Sequence, residues 1–283
     1  MEIRQNDVAI VTGASRGLGI YIAEALAAKG TRLVLAARTA DALESVAARL
    51  RQSGTEVLTV PTDVADPAAL QALIDTTLAR FGRIDILVNN AGYDYALPFD
   101  HCTVDDIRRM IEINLTAPIT LSRLVIPPMQ KAGRGHIVNI ASLAGVMATP
   151  YEELYSATKH GLVGFTRALR GSAQDMKWPI SASVLCPGFM DDAGLYVEMV
   201  NGYNVAAPGW IGAIKAPKLG AAVIRAIEKD LPDIVMMRGT PRLFMASVAL
   251  TPRIYESVSR LLNPFALFRE VAKAHVAERA AKN

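Results

Sequence analysis

Tyr155 and Lys159 stand four positions apart in the run Tyr155-Ser156-Ala157-Thr158-Lys159. On a helix, residues i and i+4 share one face, about 5–6 Å apart at Cβ. A phenol titrates near ~10, too high to exchange protons readily near neutrality. An ammonium beside it favours the phenolate, and a useful shift requires about 3–4 kcal/mol of that preference. The pair therefore suggests a proton donor and acceptor whose acidity is set by a neighbouring cation. Taken alone, Tyr-x-x-x-Lys is also an ordinary helix-surface pair, so its meaning depends on what lies upstream.

Upstream is the pattern of a nucleotide site. Val8 to Val11 is an apolar, β-branched run that reads as a buried strand. Thr12-Gly13-Ala14-Ser15-Arg16-Gly17-Leu18-Gly19 follows, then an apolar-periodic helix through Ile22, Ala25, Leu26 and Ala28 to Gly30. Strand, glycine turn and helix set backbone N–H groups and a helix N-terminus against a pyrophosphate. Gly13 allows the tight turn, while Gly17 and Gly19 allow close approach of phosphate and strand. The glycine spacing is wider than G-x-G-x-x-G. A plain glycine-rich connection is the alternative reading of these residues alone. A second strand runs from Arg32 to Ala36. NAD-binding folds place an acidic residue at its end to hold the ribose 2′-OH; here Ala37 and Arg38 stand there. Arg38 and Arg16 could converge on a 2′-phosphate, whose geometry suits guanidinium forks. NADP(H) is therefore expected over NAD(H), unless Arg38 only solvates the strand end.

Together Thr12-Gly13-x-x-x-Gly17-x-Gly19, Asn89-Asn90-Ala91-Gly92, Ser142, Tyr155-x-x-x-Lys159 and Pro187-Gly188 resemble the short-chain dehydrogenase/reductase superfamily in order and spacing, over roughly residues 6–236. The resemblance implies a Rossmann fold. It implies that Tyr155 is general acid in carbonyl reduction and general base in reverse, that Lys159 lowers its pKa and bonds the nicotinamide ribose, that Ser142 donates to the substrate oxygen, and that Asn114 holds a water in the proton relay. The chemistry has its own logic: hydride reaching a carbonyl carbon leaves alkoxide charge, which needs donors aimed at it beforehand, one of which must give up a proton. Cofactor contacts are expected from Gly13, Ser15, Arg16, Gly17, Leu18, Gly19 and Arg38. Further contacts are expected from Asp63 and Val64 near adenine, Asn90, Ala91 and Gly92 on the floor, and Pro187 and Gly188, besides Tyr155 and Lys159. Asn89 reads as structural. Asp192 stands where many relatives carry a cofactor-contacting threonine. A carboxylate there would repel diphosphate, so it either points away or caps the following helix.

Strand and helix signals alternate seven times, which argues for one doubly wound parallel sheet with helices on both faces. Asp66 and Pro67 open one helix as N-cap and first helical residue. A long helical stretch spans Thr103 to Lys131, with Pro118 and Pro127-Pro128 as kinks or ends. The expected division is a catalytic domain at 1–239, including a substrate loop at 188–215, and an extension at 240–283. The loop carries Phe189, Met190, Tyr196, Met199, Tyr203 and Trp210 and could act as a lid. Tyr93, Tyr95, Leu143, Val146 and Tyr151 complete an apolar pocket, suited to an apolar ketone or aldehyde.

The composition, 51% hydrophobic and 20% charged, is globular, and a net charge of +3 is too mild to argue for nucleic acid. Cys102 and Cys186 are too few for a disulfide scaffold. Four scattered histidines show no zinc spacing, so no metal is expected. Met1 to Asp7 lacks a signal-peptide core, and no apolar run reaches ~18 residues; a cytoplasmic protein is expected. In the extension, Ile254, Val258, Leu261 and Leu262 form one helical face among several arginines and lysines. It is expected to cover the pocket or a partner subunit, with a membrane surface as the alternative. The family resemblance also implies a homodimer or homotetramer. The functional expectation is an NADPH-dependent carbonyl reductase; a 3-oxoacyl-thioester reductase and a silent NADP(H)-sensing regulator are the alternatives.

Overall fold

The computed structural model describes residues 1–203, 205, 212–237, 246, 250–251, 253–254, 256–257 and 265–282. Seven parallel strands form one sheet: β1 (Val8–Thr12), β2 (Arg32–Ala37), β3 (Val57–Pro61), β4 (Ile86–Asn89), β5 (Gly135–Ile140), β6 (Ile180–Pro187) and β7 (Asp233–Met236). Their order across the sheet is β3-β2-β1-β4-β5-β6-β7. Parallel strands need crossovers, and the crossovers here are helices that cover both faces. That is why the central strands read as continuous apolar runs. On β1, Ala9 and Val11 pack toward α1 (Leu18–Ala27) and α2 (Ala40–Gln52), while Val8 and Ile10 pack toward α3 (Pro67–Phe81) and the helices after β4.

α3 begins as its sequence dictates, with Pro67 at the first turn and the Asp66 side chain accepting from Ala68 N at 2.9 Å. The stretch expected as one helix with proline breaks is built differently. α4 (Val104–Ile111) runs into a π-helical turn at Glu112–Thr116 and then α5 (Ala117–Lys131). Pro118 sits in the first turn of α5, where a missing N–H costs little, and Pro127 and Pro128 stay inside the helix. The irregularity falls at the π turn, which carries Asn114. After β5, α6 (Glu153–Asp175) carries Tyr155 and Lys159 on its buried side. Then come α7 (Leu195–Tyr203) in the substrate loop and α8 (Pro217–Glu228) before β7.

The extension holds α9 (Ala266–Lys282). Leu267, Phe268, Val271 and Ala272 on it are buried against Ala96 and the α7 segment. The expected helical face, Ile254 to Leu262, precedes this helix in the chain. Of those residues Ile254 is exposed, and Val258, Leu261 and Leu262 lie outside the described residues, as do Trp210, Arg242 and Arg260. Arg279 fixes the far end of α9 through two bonds to the Asp106 carboxylate, at 2.9 and 3.0 Å. No helix among the described residues is long and apolar enough to cross a membrane.

Candidate active site

Strand order reverses between β1 and β4, so the loops leaving their C-terminal ends part and open a crevice. The two loops are stapled at its base. Asn90 Nδ2 donates to the carbonyls of Thr12 (2.9 Å) and Gly13 (3.2 Å), and Thr12 Oγ1 accepts from the backbone N–H of Asn90 and of Ala91, both at 3.0 Å. Gly13 adopts φ +64°, and a Cβ there would lie 2.8 Å from Ala91 Cα. Gly19 does not line the cavity; it is the contact point beneath the loop, where a Cβ would fall 2.2 Å from Gly13 O. Asn89 bonds Asn139 and the Pro118 carbonyl inside the sheet and is structural, as expected.

The crevice deepens into a cavity of about 1080 Å³. At one end it is lined by Gly13, Ser15, Arg16, Gly17 and Leu18, by Arg38 after β2, and by Asp63 and Val64 after β3. Gly17 is the N-cap of α1 and supplies no side-chain cap, so first-turn amides of α1 lack a side-chain acceptor at the cap. An uncapped helix N-terminus beside a glycine cradle fits a diphosphate. The chain position suited to a ribose-binding acid holds Ala37, and Arg38 is exposed beside it. Arg16 does not turn toward Arg38; it pairs with Glu198 of α7 at 2.8 Å, with 71% of its side chain exposed. Asp192 is spoken for: its carboxylate accepts from the backbone N–H of Ala216, the residue before α8, at 2.7 Å. Its bond goes to Ala216 rather than to the first turn of α7, the helix that follows it, and it does not line the cavity, so the reading in which Asp192 points away is the one realised.

At the middle of the cavity Asn90, Ala91 and Gly92 face Ser142, Tyr155 and Lys159, with Pro187 and Gly188 closing the side from β6. Lys159 is 3% exposed and its ammonium donates to the Ile140 carbonyl at 3.1 Å, 5.5 Å from the centre of the Tyr155 ring. The Ser142 hydroxyl hydrogen-bonds the Tyr155 phenol and also accepts from Ala144 N at 3.1 Å. Asn114 lies behind this group and does not line the cavity. Its side chain closes a ring with the Tyr93 backbone, accepting from Tyr93 N at 2.8 Å and donating to Tyr93 O at 2.6 Å. A Cβ on Gly92 would reach Asn114 Oδ1 at 3.6 Å and Lys159 Nζ at 3.7 Å, so the three converge.

The electrostatics differ from the expectation. Burial pushes the Tyr155 phenol above its ordinary value, and the charges of Asp94 and Glu152 push the same way; the Ser142 hydrogen bond opposes them. Burial also pulls the Lys159 ammonium down to about 8, with Asp94 resisting. In the folded chain the phenol is thus a weaker acid than in water, because desolvation outweighs the neighbouring cation.

The substrate end is built from Tyr93, Leu143, Phe189 and Met190, as expected, together with Tyr196 and Met199 of α7. Three expected residues, Tyr95, Tyr151 and Val146, are corrected. Tyr95 stacks on His275 at 4.0 Å, and Tyr151, at φ +68°, packs with the α9 cluster; neither lines the cavity. Val146 packs beside β6 instead. Phe265 and Phe268, from the tail, do line it. His275 anchors α9 over this end: its Nδ1 faces the Ala96 carbonyl at 2.8 Å, so Nδ1 carries the proton. The residues the sequence reading missed are Asp94 and Glu152, both lining the cavity near Tyr155. The available signal was Glu152 itself, an acidic residue one helical turn before Tyr155. Among the described residues no group of three or more acidic, histidine or cysteine side chains could hold a metal.

The short chain dehydrogenase family model matches residues 7–200. The chain is 34% identical over 227 residues to the ketoacyl reductase HetN of Nostoc sp., covering 80% of this chain and 77% of that protein. It is 30% identical over 289 residues to dehydrogenase/reductase SDR family member 7B of Rattus norvegicus, covering 99% and 84%. A short chain dehydrogenase/reductase from Burkholderia phymatum, solved in complex with NAD, matches with a TM-score of 0.75 at 29% identity, over 93% of this chain and 98% of that one. A metagenomic short-chain oxidoreductase solved with NADP matches with a TM-score of 0.71 at 29% identity, over 83% and 98%.

Proposed function

The chain belongs to the short-chain dehydrogenase family and is an NAD(P)-dependent oxidoreductase acting on CH–OH groups, and from that premise we propose that it is an NADPH-dependent reductase of an apolar ketone or aldehyde. The observation that carries this reading is one continuous cavity, with the uncapped N-terminus of α1 at one end, Tyr155 and Lys159 in the middle and an aromatic enclosure at the other. A nicotinamide cofactor, when bound, supplies the hydride. Gly13, Ser15, Gly17 and Leu18 would hold its diphosphate, Asp63 and Val64 its adenine end, and Ala91, Gly92, Pro187 and Gly188 its nicotinamide end. Arg38 would face a 2′-phosphate, which supports NADP(H); the NADP complex of the metagenomic relative agrees, while the NAD complex of the Burkholderia one shows that the fold takes either.

Ser142 and Tyr155 aim two hydroxyl donors at the point where alkoxide charge would develop. Tyr155 gives up its proton to that oxygen. Lys159 would hold the cofactor ribose and return a proton to the phenol, regaining its own from water. Asn114, fixed by the Tyr93 backbone, orients the loop that carries Gly92 over Lys159. Phe265 and Phe268 exclude water from the substrate end.

The ketoacyl reductase relatives favour a second reading, reduction of a 3-oxoacyl thioester. A carrier-bound acyl chain would need an open, basic mouth; residues 188–212 contain no arginine or lysine, although Arg109 lines the cavity beside Tyr93. The test is NADPH oxidation with ketones, aldehydes and oxoacyl thioesters. Tyr155→Phe is expected to keep NADPH affinity and lose roughly 10²–10⁴-fold in kcat. Turnover by that variant at the wild-type rate would overturn the assignment, and preference for thioesters would select the second reading.

A further inference from the structure

The substrate end holds two carboxyl groups that hydride and proton transfer do not use. Asp94 follows Gly92 by two residues, and Glu152 precedes Tyr155 by three. Both line the cavity with Tyr155, and the two side chains hydrogen-bond each other. Glu152 is only 5% exposed. Asp94 Oδ1 is shielded from solvent and has no hydrogen-bond partner. The surroundings are apolar and aromatic, including Tyr196, Met199 and Phe268.

A carboxyl pair set among apolar groups is unfavourable unless its oxygens are met. A bracing role does not explain it. The Tyr93–Leu97 loop is already tied to the segment before α6 by Leu97 N donating to the Tyr151 carbonyl at 3.0 Å. Burial pushes both carboxyl groups up; the charge of Asp94 raises Glu152 further, while the Glu152 hydrogen bond opposes the rise of Asp94, and two carboxyls so close share one proton. The pair then carries one negative charge, opposed from the protein side by His275 and the Lys159 ammonium. A neutral donor suits that balance better than a second cation, and a carboxylate would be repelled.

We propose that Asp94 and Glu152 form a recognition site for a hydroxyl group of the substrate, distinct from the carbon that reacts, with the cavity-facing side of the carboxyl pair as the acceptor. This rests on the reductase reading and narrows it from an apolar ketone to a hydroxyketone, or the matching diol in reverse. A site with a buried acceptor discriminates strongly against an analogue that lacks the donor.

The test compares a straight-chain methyl ketone with analogues of varied length ending in a hydroxyl, a primary amine or a carboxylate. Each is assayed with wild type, with Glu152→Gln and with the double variant Asp94→Leu/Glu152→Met, in which both partners become apolar. NADPH titration reports that each variant is folded. The best hydroxyl analogue is expected to exceed the plain ketone at least about tenfold in kcat/KM with wild type, and this ratio is expected to fall toward one in the double variant. An equal ratio in wild type and double variant overturns the site, as does a carboxylate analogue that matches the hydroxyl one. A preference for the amine overturns the neutral donor. If no ketone turns over, the reductase reading fails on its own, and the probes are read by thermal shift of the NADPH-bound protein. A larger shift by the hydroxyl probe in wild type than in the double variant upholds the site, and equal shifts overturn it.

Discussion

Gly19→Ala isolates the geometric demand of the nucleotide loop. Gly19 sits in the first turn of α1 with an ordinary helical backbone, so alanine brings no dihedral strain there. What it lacks is room. The new Cβ would fall 2.2 Å from Gly13 O, 2.9 Å from Ala14 Cα and 2.9 Å from Asn90 Nδ2. Ordinary contact begins near 3.4 Å, so the loop must retreat by about 1 Å, and two of the three neighbours are backbone. Overpacking of this kind costs about 1–3 kcal/mol. Because Asn90 Nδ2 also staples Thr12 and Gly13, the strain falls on the diphosphate cradle itself. Cofactor affinity is expected to weaken roughly 5- to 150-fold, the equivalent of that energy. The assay is fluorescence titration with NADPH, paired with urea unfolding. Gly171→Ala, in exposed α6 with nothing within 4 Å, serves as the control and is expected to gain about 0.5–1 kcal/mol of stability. A Gly19→Ala dissociation constant within twofold of wild type would refute the steric account.

Arg279→Ala should loosen α9, since it removes a two-bond contact that holds the Asp106 carboxyl down at about 2; tryptic cleavage after Arg269 or Lys273 is expected to quicken, and an unchanged rate would dismiss the anchor. His136 is buried, bonded to Ser183 at 2.8 Å, and held down to about 3 by desolvation. The folded state therefore binds fewer protons than the unfolded one, so stability is retained above about 6.5 and declines as pH falls toward 3. Urea midpoints at pH 7 and 4 should show a smaller drop in His136→Gln than in wild type. Ultraviolet titration of wild type against Tyr155→Phe is expected to reveal no Tyr155 phenolate at or below pH 10, since burial raises that phenol; ionisation near neutrality would contradict the desolvation argument.

The cofactor end was legible because its parts are local and chemically restricted. Glycines at 13, 17 and 19 serve a turn, a cap and a contact, and little else fits those roles. The seven strands were legible because both faces of the sheet are covered, leaving unbroken apolar runs. Asp192 was read only in part, because its carboxylate bonds Ala216, 24 residues further along the chain, and nothing local announces that partner. The substrate end was not legible, because it is assembled from distant segments. Phe265 and Phe268 reach it from the tail, on a helix whose buried face is partly alanine and so weakly patterned. Tyr95 and Tyr151 were misassigned because nothing local reveals where a loop side chain points. Tyr151 has a positive φ, which turns it toward α9 rather than the cavity. Asp94 and Glu152 were passed over because neither belongs to a motif; their meaning comes from meeting each other.

The same distance explains the error about phenol acidity. Sequence spacing puts a cation near Tyr155 but says nothing of water. Folding removes water from both groups, and each then prefers its neutral form. The phenol rises and the ammonium falls, and two carboxyls from elsewhere in the chain add to the first effect. A raised phenol is not a handicap for carbonyl reduction. The alkoxide left by hydride transfer is a far stronger base than any phenolate, so the proton still moves downhill, and the side chain starts in the donating form. Alcohol oxidation needs the opposite form, which this environment disfavours. The phenol thus starts in the protonated form that carbonyl reduction uses, and on the proposed reading Lys159, tied to the Ile140 carbonyl, would act less by acidifying its neighbour than by replacing that proton.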